Sequence, residues 1–268
     1  MKLHFLKLGQ GHPLVILHGL YGSGDNWLTI ARELAGICTV YLPDQRNHGK
    51  SPHTDSHTYD DLVADLLDFL DQQEIKKCIL MGHSMGGKAA LAFASRYPSR
   101  ISKLIVVDIS PADFGEKENR TRQTGFHREL TGTLRSMPVE RFASLREASK
   151  AFSEKFSDLR LGQFMLKNLT RVPEGGFRWR INLEALEKHL PEIARGLDAE
   201  TLKHNIFRQF PILFIRGGKS QYFTEEDVVR VREMLPMATV STIKNGGHWL
   251  HAEEPALFTA MVKRFILD

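Results

Sequence analysis

A serine between two glycines is the pattern with the most specific chemical meaning in this chain. Gly82-His83-Ser84-Met85-Gly86 matches G-x-S-x-G, with a buried-strand pattern before it and a small-residue helix pattern after it. In such a strand–turn–helix the serine is exposed at a helix N-terminus, where backbone amides and the helix dipole favour developing negative charge. The pattern predicts that Ser84 is a nucleophile. The alternative is an N-cap serine between packing glycines.

A nucleophilic serine that attacks a carbonyl group needs N–H donors for the oxyanion that forms. The residue after the nucleophile, Met85, should supply one backbone N–H. The segment LVILHGLYGS follows an earlier strand pattern and turns at His18-Gly19, so the N–H of Leu20 can point into the same site. His18 itself is interpreted as a structural hydrogen-bonding residue rather than as a base.

Twelve histidines compete for the role of general base. His248 follows the last apolar strand and an Asn-Gly-Gly turn, which places it at the carboxyl end of the sheet, within reach of the serine. His251 is interpreted as facing solvent or as helping to cap the last helix, and His83 as pointing away from the nucleophile. His48 belongs to the polar loop PDQRNHGKS, whose side chains are expected to tie the backbone together. His248 is therefore the predicted base.

The base needs a carboxylate that fixes its tautomer and stabilises the imidazolium. An acid is expected in RGGKSQYF, after the apolar run Pro211–Ile215, but Ser220 occupies that place. The acids at residues 225–227 follow Thr224 and are typical of the first turn of a surface helix. Asp108 lies at the end of the strand after the serine helix and follows four apolar residues. An aspartate at such a position has little structural role unless a cationic group meets it. These patterns favour Asp108 as the acid.

Short apolar runs that alternate with helical patterns predict a mostly parallel central sheet flanked by helices, an α/β fold. Thr58 is the predicted N-cap of a helix over residues 59–70, and a last helix should begin at Glu254–Pro255 and bury Phe258, Met261, Val262 and Phe265. The predicted strands are Leu14–Leu17, Thr39–Leu42, Ile79–Met81, Leu104–Val107, Ile212–Ile215 and Thr239–Ile243.

The strand–helix alternation stops in the middle of the chain. Residues 112–210 contain no strand pattern and carry charged amphipathic helix patterns such as VERFASLREASKAFSEKF. Because the sheet must continue beyond them, we predict an inserted helical cap at 112–210 and a core formed by 1–111 and 211–268.

The composition of this chain of 268 residues, 42% of them hydrophobic, allows a sizeable core. Cys38 and Cys78 each lie in or beside an apolar run, which favours free thiols and a reducing, cytoplasmic location. No apolar stretch approaches the length of a membrane span, and the start of the chain has no signal-peptide pattern. We therefore expect a protein with no membrane span.

The net charge of +4 is unevenly placed along the chain. Residues 114–206 hold 17 Lys or Arg against 13 Asp or Glu, and the charges of the remaining residues cancel. A solvated helical surface explains this excess, and a segment that attracts acidic substrates is the alternative. Basic and acidic residues are mixed throughout, which argues against nucleic-acid binding.

Six segments together resemble the YbfF-type esterases of the α/β-hydrolase superfamily: LHGLYGSGDNW, PDQRNHGKSPH, GHSMGGKAAL, VVDISPADF, FRWRINLEAL and NGGHWLHAEEP. The resemblance covers nearly the whole chain and implies the α/β-hydrolase fold with a cap. It also implies that Ser84, Asp108 and His248 are catalytic, with Leu20 and Met85 supplying the oxyanion hole.

These expectations describe a carboxylic ester hydrolase that works through an acyl-enzyme, without a metal or another cofactor. The resemblance implies small-molecule substrates that are short acyl esters, with acyl thioesters as a further class. The acyl pocket is expected between Ser84 and the cap, and its expected walls include Trp179, Trp249 and Phe177. A cofactor-free haloperoxidase or perhydrolase would use the same triad, and a ligand receptor could retain the same scaffold. Dehalogenases and epoxide hydrolases of this fold need Asp where Ser84 stands. The sequence assigns no oligomeric state.

Overall fold

A seven-stranded sheet forms the centre of the computed structural model, which describes residues 1–113, 117–198, 201 and 205–268. Its order is β1-β3-β2-β4-β5-β10-β11; β1 runs antiparallel to β3 and the other neighbours are parallel. The described strands are β1 (Phe5–Leu8), β2 (His12–Leu17), β3 (Cys38–Pro43), β4 (Cys78–His83), β5 (Ile101–Val107), β6 (Ala112–Asp113), β7 (Leu169–Arg171), β8 (Phe177–Trp179), β9 (Leu197–Asp198), β10 (Ile212–Gly217) and β11 (Thr239–Ile243).

The predicted mostly parallel α/β sheet is confirmed, and each of the six predicted strands lies within an observed one. Strand β1 was not predicted. It lies at the edge of the sheet, where one neighbour and partial solvent exposure leave little apolar patterning to recognise.

Helices cover both faces of the sheet. The described helices are α1 (Leu28–Leu34), α2 (Tyr59–Gln72), α3 (Met85–Arg96), α4 (Lys117–Arg135), α5 (Leu145–Lys155), α6 (Leu159–Leu166), α7 (Leu183–Lys188), α8 (Leu190–Ala194), α9 (Glu225–Met234), α10 (Leu250–Glu253) and α11 (Pro255–Leu267). Short 3₁₀ turns occur at Gly24–Trp27, Pro98–Arg100, Val139–Arg141 and Asn205–Arg208.

Alternate strand residues enter two separate cores because successive side chains of a strand point to opposite faces. On β2, Leu14 and Ile16 join the core that packs against α1 and α11. Val15 and Leu17 join the other core, which packs against α2 and α3 and continues into the helical segment. Both cysteines are buried and free.

The predictions for helices α2 and α11 are confirmed, except for the full burial of two residues of α11. The Thr58 side chain accepts the backbone N–H of Asp61 at the start of α2. Helix α11 begins at Pro255, and it buries Phe258 and Val262 fully. Met261 and Phe265 are half-buried, because they lie at the border of the stripe that faces the sheet.

The segment between β5 and β10 departs from the prediction of a purely helical stretch. Strands β6 and β9 pair with each other, and β7 pairs with β8, forming two small ladders apart from the central sheet. Strands of two or three residues are too short to produce a periodic sequence pattern, which is why they were missed. Residues 114–116, 199–200 and 202–204 of this segment lie outside the described part of the chain. No helix among the described residues is long and apolar enough to cross a membrane.

Candidate active site

Ser84 lies in a sharp turn between β4 and α3, with φ 53° and ψ −120°. A positive φ is strained for a residue with a side chain, and such strain persists only where the surroundings enforce it. The flanking glycines are part of that enforcement. A Cβ on Gly82 would lie 2.1 Å from the carbonyl oxygen of Gly86, and a Cβ on Gly86 would lie 2.5 Å from the carbonyl oxygens of Leu17 and His18. The turn therefore requires both glycines and presents the serine at the start of a helix.

The loop after β2 passes directly beside the serine. A Cβ on Gly19 would lie 2.9 Å from Nδ1 of His83 and 3.2 Å from the Cβ of Ser84, so the missing side chain of Gly19 gives this close approach its room. Within the described part of the chain, no backbone or side-chain acceptor receives the N–H of Leu20 or of Met85. The residues predicted for the oxyanion hole thus carry backbone donors that have no acceptor among the described residues.

Asp108 follows β5 and carries the carboxylate at the centre of the site. Its side chain is fully buried and its φ is 49°, a second strained backbone position. Oδ2 of Asp108 lies 2.7 Å from Nδ1 of His248. Because an ionised carboxylate only accepts hydrogen bonds, Nδ1 is the donor, and the lone pair of the imidazole is then on Nε2.

Two further donors hold the Asp108 carboxylate. The backbone N–H of Gly217 donates to Oδ1 at 2.8 Å, and the hydroxyl of Ser220 donates to Oδ2 at 2.5 Å. Both donors belong to β10 or the loop after it, which runs beside β5 in parallel. The segment predicted to lack an acid therefore supplies hydrogen bonds to an acid on the neighbouring strand.

His248 is fixed by its neighbours on two sides. The ring of Tyr222 stacks on its imidazole with 3.9 Å between centroids, and Nε2 of His83 donates to its backbone carbonyl at 2.8 Å. Burial and the neighbouring histidines hold the pKa of His83 well below its ordinary value. His83 was predicted to point away from Ser84, but it lines the same cavity. The hydrogen bond from His83 to the backbone carbonyl of His248 could not be predicted from the sequence, because every residue has a backbone carbonyl.

His251 also differs from the prediction. It is 6% exposed, and its ring stacks on Trp27 with 4.1 Å between centroids and 8° between planes. Burial lowers its pKa to about 3. The residue lies in the short helix α10, which turns it toward the core rather than toward solvent.

The two histidines assigned structural roles have both ring nitrogens hydrogen-bonded. Nε2 of His18 accepts the backbone N–H of Gln45, and its Nδ1 donates to the carbonyl of Gly19. Nε2 of His48 accepts the N–H of Tyr21, and its Nδ1 donates to a carbonyl in its own loop. Burial lowers the pKa of both imidazoles. They hold the loop after β2 in place as neutral side chains.

The polar loop after β3 fastens the same region. The carboxylate of Asp44 accepts the backbone N–H groups of Gly24 and Lys50. The guanidinium of Arg46 pairs with Asp65 through two hydrogen bonds at 2.6 and 2.9 Å. The expected backbone-tying role of this loop matches these contacts.

A cavity of about 410 Å³ opens above Ser84 and has both Ser84 and His248 in its wall. Trp249 lines it, as predicted. Trp179 and Phe177 do not; the Trp179 ring packs against Phe152 of α5, 6.0 Å between centroids, because the β7–β8 ladder turns it toward the helical segment. The aromatic side chains that this segment contributes to the wall are Phe126, Phe156 and Phe164.

The prediction that all three acids at the start of α9 lie on the surface is wrong for one of them. Asp227 is 4% exposed and accepts hydrogen bonds from the backbone N–H and hydroxyl of Thr224 and from the hydroxyl of Ser110. Glu225 pairs with Arg216 at 2.5 Å, whereas Glu226 is exposed. These contacts are structural, and the Asp108 carboxylate is the one that contacts His248.

Sequence reasoning missed Ser220, Gly217, His83 and Tyr222 as contributors to the site. One sequence signal was available for Ser220: it is a small polar residue after a strand, at the place where an acid was expected. A hydroxyl there cannot replace a carboxylate, but it can donate to one that comes from the adjacent strand.

The chain is similar to proteins of known family and to solved structures. A family model described as the alpha/beta hydrolase fold matches residues 12–255. The sn-1-specific diacylglycerol lipase ABHD11 of Xenopus laevis is 36% identical over 261 residues, covering 96% of this chain and 80% of the relative. Esterase YbfF of Escherichia coli (strain K12) is 32% identical over 256 residues, covering 96% and 93%. A solved structure described as a marine microorganism esterase is 38% identical, with a TM-score of 0.88 over 98% of this chain and 99% of that one.

Proposed function

The chain belongs to the alpha/beta-hydrolase family, as its motifs implied, and from that premise we propose that it cleaves carboxylic esters as a serine hydrolase. One observation carries the proposal. The imidazole of His248 donates to the buried carboxylate of Asp108 at 2.7 Å, and it shares a cavity wall with a serine in a strained strand–turn–helix. Nucleophile, base and acid in these roles define acyl transfer.

In the first step Ser84 Oγ attacks the acyl carbon of the ester while Nε2 of His248 takes its proton. The carbonyl oxygen becomes an oxyanion, which the N–H groups of Leu20 and Met85 stabilise. The imidazolium then gives its proton to the departing alcohol oxygen, the ester C–O bond breaks and an acyl-enzyme remains. Asp108 stabilises the imidazolium throughout this step.

In the second step water replaces the alcohol. Nε2 of His248 takes a proton from the water, whose oxygen attacks the acyl carbon of the acyl-enzyme. The oxyanion uses the same two N–H donors, and collapse of the intermediate returns the proton to Ser84 Oγ and releases the carboxylic acid.

The helical segment at 112–210 serves in this proposal as the cap of the site. Support comes from the cavity wall, which combines core residues such as Ser84 and His248 with Phe126, Phe156 and Phe164 of the segment. Aromatic walls around a few polar groups are typical of sites for small organic ligands. The cap therefore excludes water from the reacting ester and contributes to substrate choice.

A fluorophosphonate probe tests the nucleophile directly. Wild-type protein should be labelled at Ser84 and should hydrolyse p-nitrophenyl acetate, and Ser84→Ala should lose both properties while it keeps its unfolding temperature. Absence of labelling in the folded wild type would contradict the proposal and favour a ligand receptor. Peroxide-dependent halogenation in acetate buffer without ester hydrolysis would instead favour a haloperoxidase. An acyl thioester in the same assay establishes whether the leaving group extends to thiols.

A further inference from the structure

Two residues in the wall of the cavity above Ser84 each carry a buried polar atom that has no hydrogen-bond partner among the described residues. These atoms are the hydroxyl oxygen of Tyr21 and Nδ1 of His127. The two rings are neighbours, with 5.7 Å between centroids and 49° between planes. Buried polar groups are nearly always hydrogen-bonded, because an unpaired one destabilises the fold. Two such atoms in the wall of one cavity therefore indicate that a bound molecule pairs with them.

The backbone holds Tyr21 firmly in this wall. Its φ is 61°, a strained value for a residue with a side chain. Its N–H donates to Nε2 of His48 at 3.1 Å, and its carbonyl accepts a hydrogen bond from the side chain of Asn168 at 2.9 Å. The side chain is buried, and a phenylalanine ring would fill the same space without an unpaired oxygen. The hydroxyl of Tyr21 thus serves something other than the stability of the fold.

His127 belongs to helix α4 of the cap, and Tyr222 contacts one of its ring nitrogens. The Nε2 atom of His127 lies 3.5 Å from the hydroxyl of Tyr222, whose ring stacks on the imidazole of His248. One nitrogen of His127 therefore meets the side chain that packs on the base. The other nitrogen, Nδ1, is left for a ligand.

The chemistry of these two atoms selects the group that they bind. When Nε2 of His127 accepts from Tyr222, Nδ1 carries the proton and donates; in the other tautomer Nδ1 accepts. The hydroxyl of Tyr21 can do either. A hydroxyl group of the ligand also donates and accepts, so it pairs with both atoms in either tautomer, whereas a carbonyl or ether oxygen only accepts.

We propose that Tyr21 and His127 form a polar site that binds a hydroxyl group of the substrate. The preferred substrates are then hydroxyl-bearing esters, and an ester with a methyl group in place of that hydroxyl leaves the site unpaired. This inference rests on the proposed ester hydrolysis and specifies the class of ester.

The site is uncharged near neutral pH. Burial raises the pKa of Tyr21 above its ordinary value. Burial, together with His248 and Lys88 nearby, lowers the pKa of His127 to about 4. The charged side chains of the same cavity wall, Glu129, Lys155 and Asp158, are exposed. A neutral buried site suits an uncharged hydroxyl, because a charged group would lose its hydration there.

Two pairs of esters test the preference. One pair is p-nitrophenyl 3-hydroxybutanoate and p-nitrophenyl 3-methylbutanoate; the other is 3-hydroxypropyl acetate and butyl acetate. In each pair a methyl group replaces a hydroxyl at nearly constant size, and the pairs carry the hydroxyl on opposite sides of the scissile bond. We expect wild-type kcat/KM, divided by the rate of alkaline hydrolysis, to favour the hydroxyl ester by at least about tenfold in at least one pair.

The variant Tyr21→Phe should abolish this preference and should unfold at the same temperature as the wild type or higher, because the lost hydroxyl has no protein partner. The matched control is Tyr59→Phe. The Tyr59 hydroxyl donates to the carbonyl of Ile193 at 2.8 Å, and the residue does not line the cavity. The control should therefore be less stable than the wild type and keep the full preference for the hydroxyl ester.

Two amides separate the ring nitrogens of His127. Glutamine places its amide near the position of Nε2 and keeps the contact with Tyr222, whereas asparagine places its amide near the position of Nδ1. We expect His127→Gln to lose the preference for the hydroxyl ester and His127→Asn to retain part of it. The reverse order would overturn the assignment of Nδ1.

Equal treatment of the two members in both ester pairs by the wild type would overturn the inference. A preference that survives in Tyr21→Phe and in His127→Gln would also overturn it. In either case the enzyme would still hydrolyse esters and label at Ser84, so the proposed function would stand. If the folded wild type hydrolyses none of these esters, both the proposed function and this inference fail.

Discussion

The hydroxyl of Ser220 lies 2.5 Å from Oδ2 of Asp108, the same oxygen that accepts the hydrogen bond from Nδ1 of His248. Strands β5 and β10 are parallel neighbours, so their carboxyl ends bring Asp108 and the loop with Ser220 to one edge of the sheet. Ser220 therefore acts on the acid rather than in place of it. Its role is to hold a buried carboxylate in the orientation that the imidazole needs.

Removal of that hydroxyl should slow catalysis without weakening substrate binding. A hydrogen bond to a charged group is worth about 1.5–3 kcal/mol, so Ser220→Ala should lower kcat by about tenfold or more. We expect KM for p-nitrophenyl acetate to change little, since Ser220 does not line the cavity above Ser84. Ser220→Thr, which keeps the hydroxyl, should retain most of the activity. Equal losses in both variants would indicate a packing effect instead.

Neutralising the acid should have a much larger effect. Asp108→Asn should reduce kcat by about 10⁴, because an amide can hold the wrong imidazole tautomer and cannot stabilise the imidazolium. Steady-state hydrolysis of p-nitrophenyl acetate measures this loss, and Glu226→Gln, at an exposed position, is the control. Near wild-type turnover in Asp108→Asn would show that another group serves as the acid.

The position of Ser220 also allows a rescue experiment. Its side chain points at the Asp108 carboxylate, so Ser220→Asp in the Asp108→Asn background places a carboxylate close to the original one. We expect at least about a tenfold recovery of kcat relative to Asp108→Asn alone. Ser220→Asn in the same background is the control, since it has the same size without the charge. Equal activity of the two double variants would count against a transferable acid position.

Asp227 should affect stability but not chemistry. Its carboxylate caps helix α9 through Thr224 and accepts the hydroxyl of Ser110, and the side chain is buried. Asp227→Asn should lower the free energy of unfolding by about 1–2 kcal/mol, the usual cost of a lost cap, with kcat nearly unchanged. Urea unfolding measures the difference. A large loss of kcat at unchanged stability would place Asp227 in the catalytic site.

Buried neutral histidines should make the fold sensitive to acid. Burial lowers the pKa of His57 and of His251 to about 3, below the unfolded value near 6.5. The unfolded state then binds more protons between these values. The stabilisation is complete above about pH 6.5 and is lost as the pH falls toward 3, by up to about 1.4 kcal/mol per pH unit for each histidine.

His251→Phe isolates one of these contributions. A phenyl ring keeps the stack on Trp27 and removes a buried ring nitrogen, Nδ1, that has no hydrogen-bond partner among the described residues. We expect the variant to lose less stability than the wild type between pH 7 and pH 5, as measured by the midpoint of urea unfolding. Parallel pH dependences would mean that His251 is not a source of the acid sensitivity.

The sequence by itself determined the features that depend on local chemistry. Buried parallel strands have short apolar runs in the sequence, and these runs predicted six strands: β2, β3, β4, β5, β10 and β11. The glycines around Ser84 and the caps at Thr58 and Thr224 follow from backbone geometry within a few residues. The candidates Ser84, Asp108 and His248 were reached the same way, because each stands at the carboxyl end of a strand pattern.

Only the tertiary structure decided which side chains meet across separate elements. The Ser220–Asp108 contact depends on the parallel register of β5 and β10, and the stack of His251 on Trp27 depends on how α10 turns toward the core. The position of Trp179 outside the cavity depends on a ladder too short to leave a pattern. Local patterns specify where a residue lies along its strand or helix, but the packing of distant segments sets its neighbours.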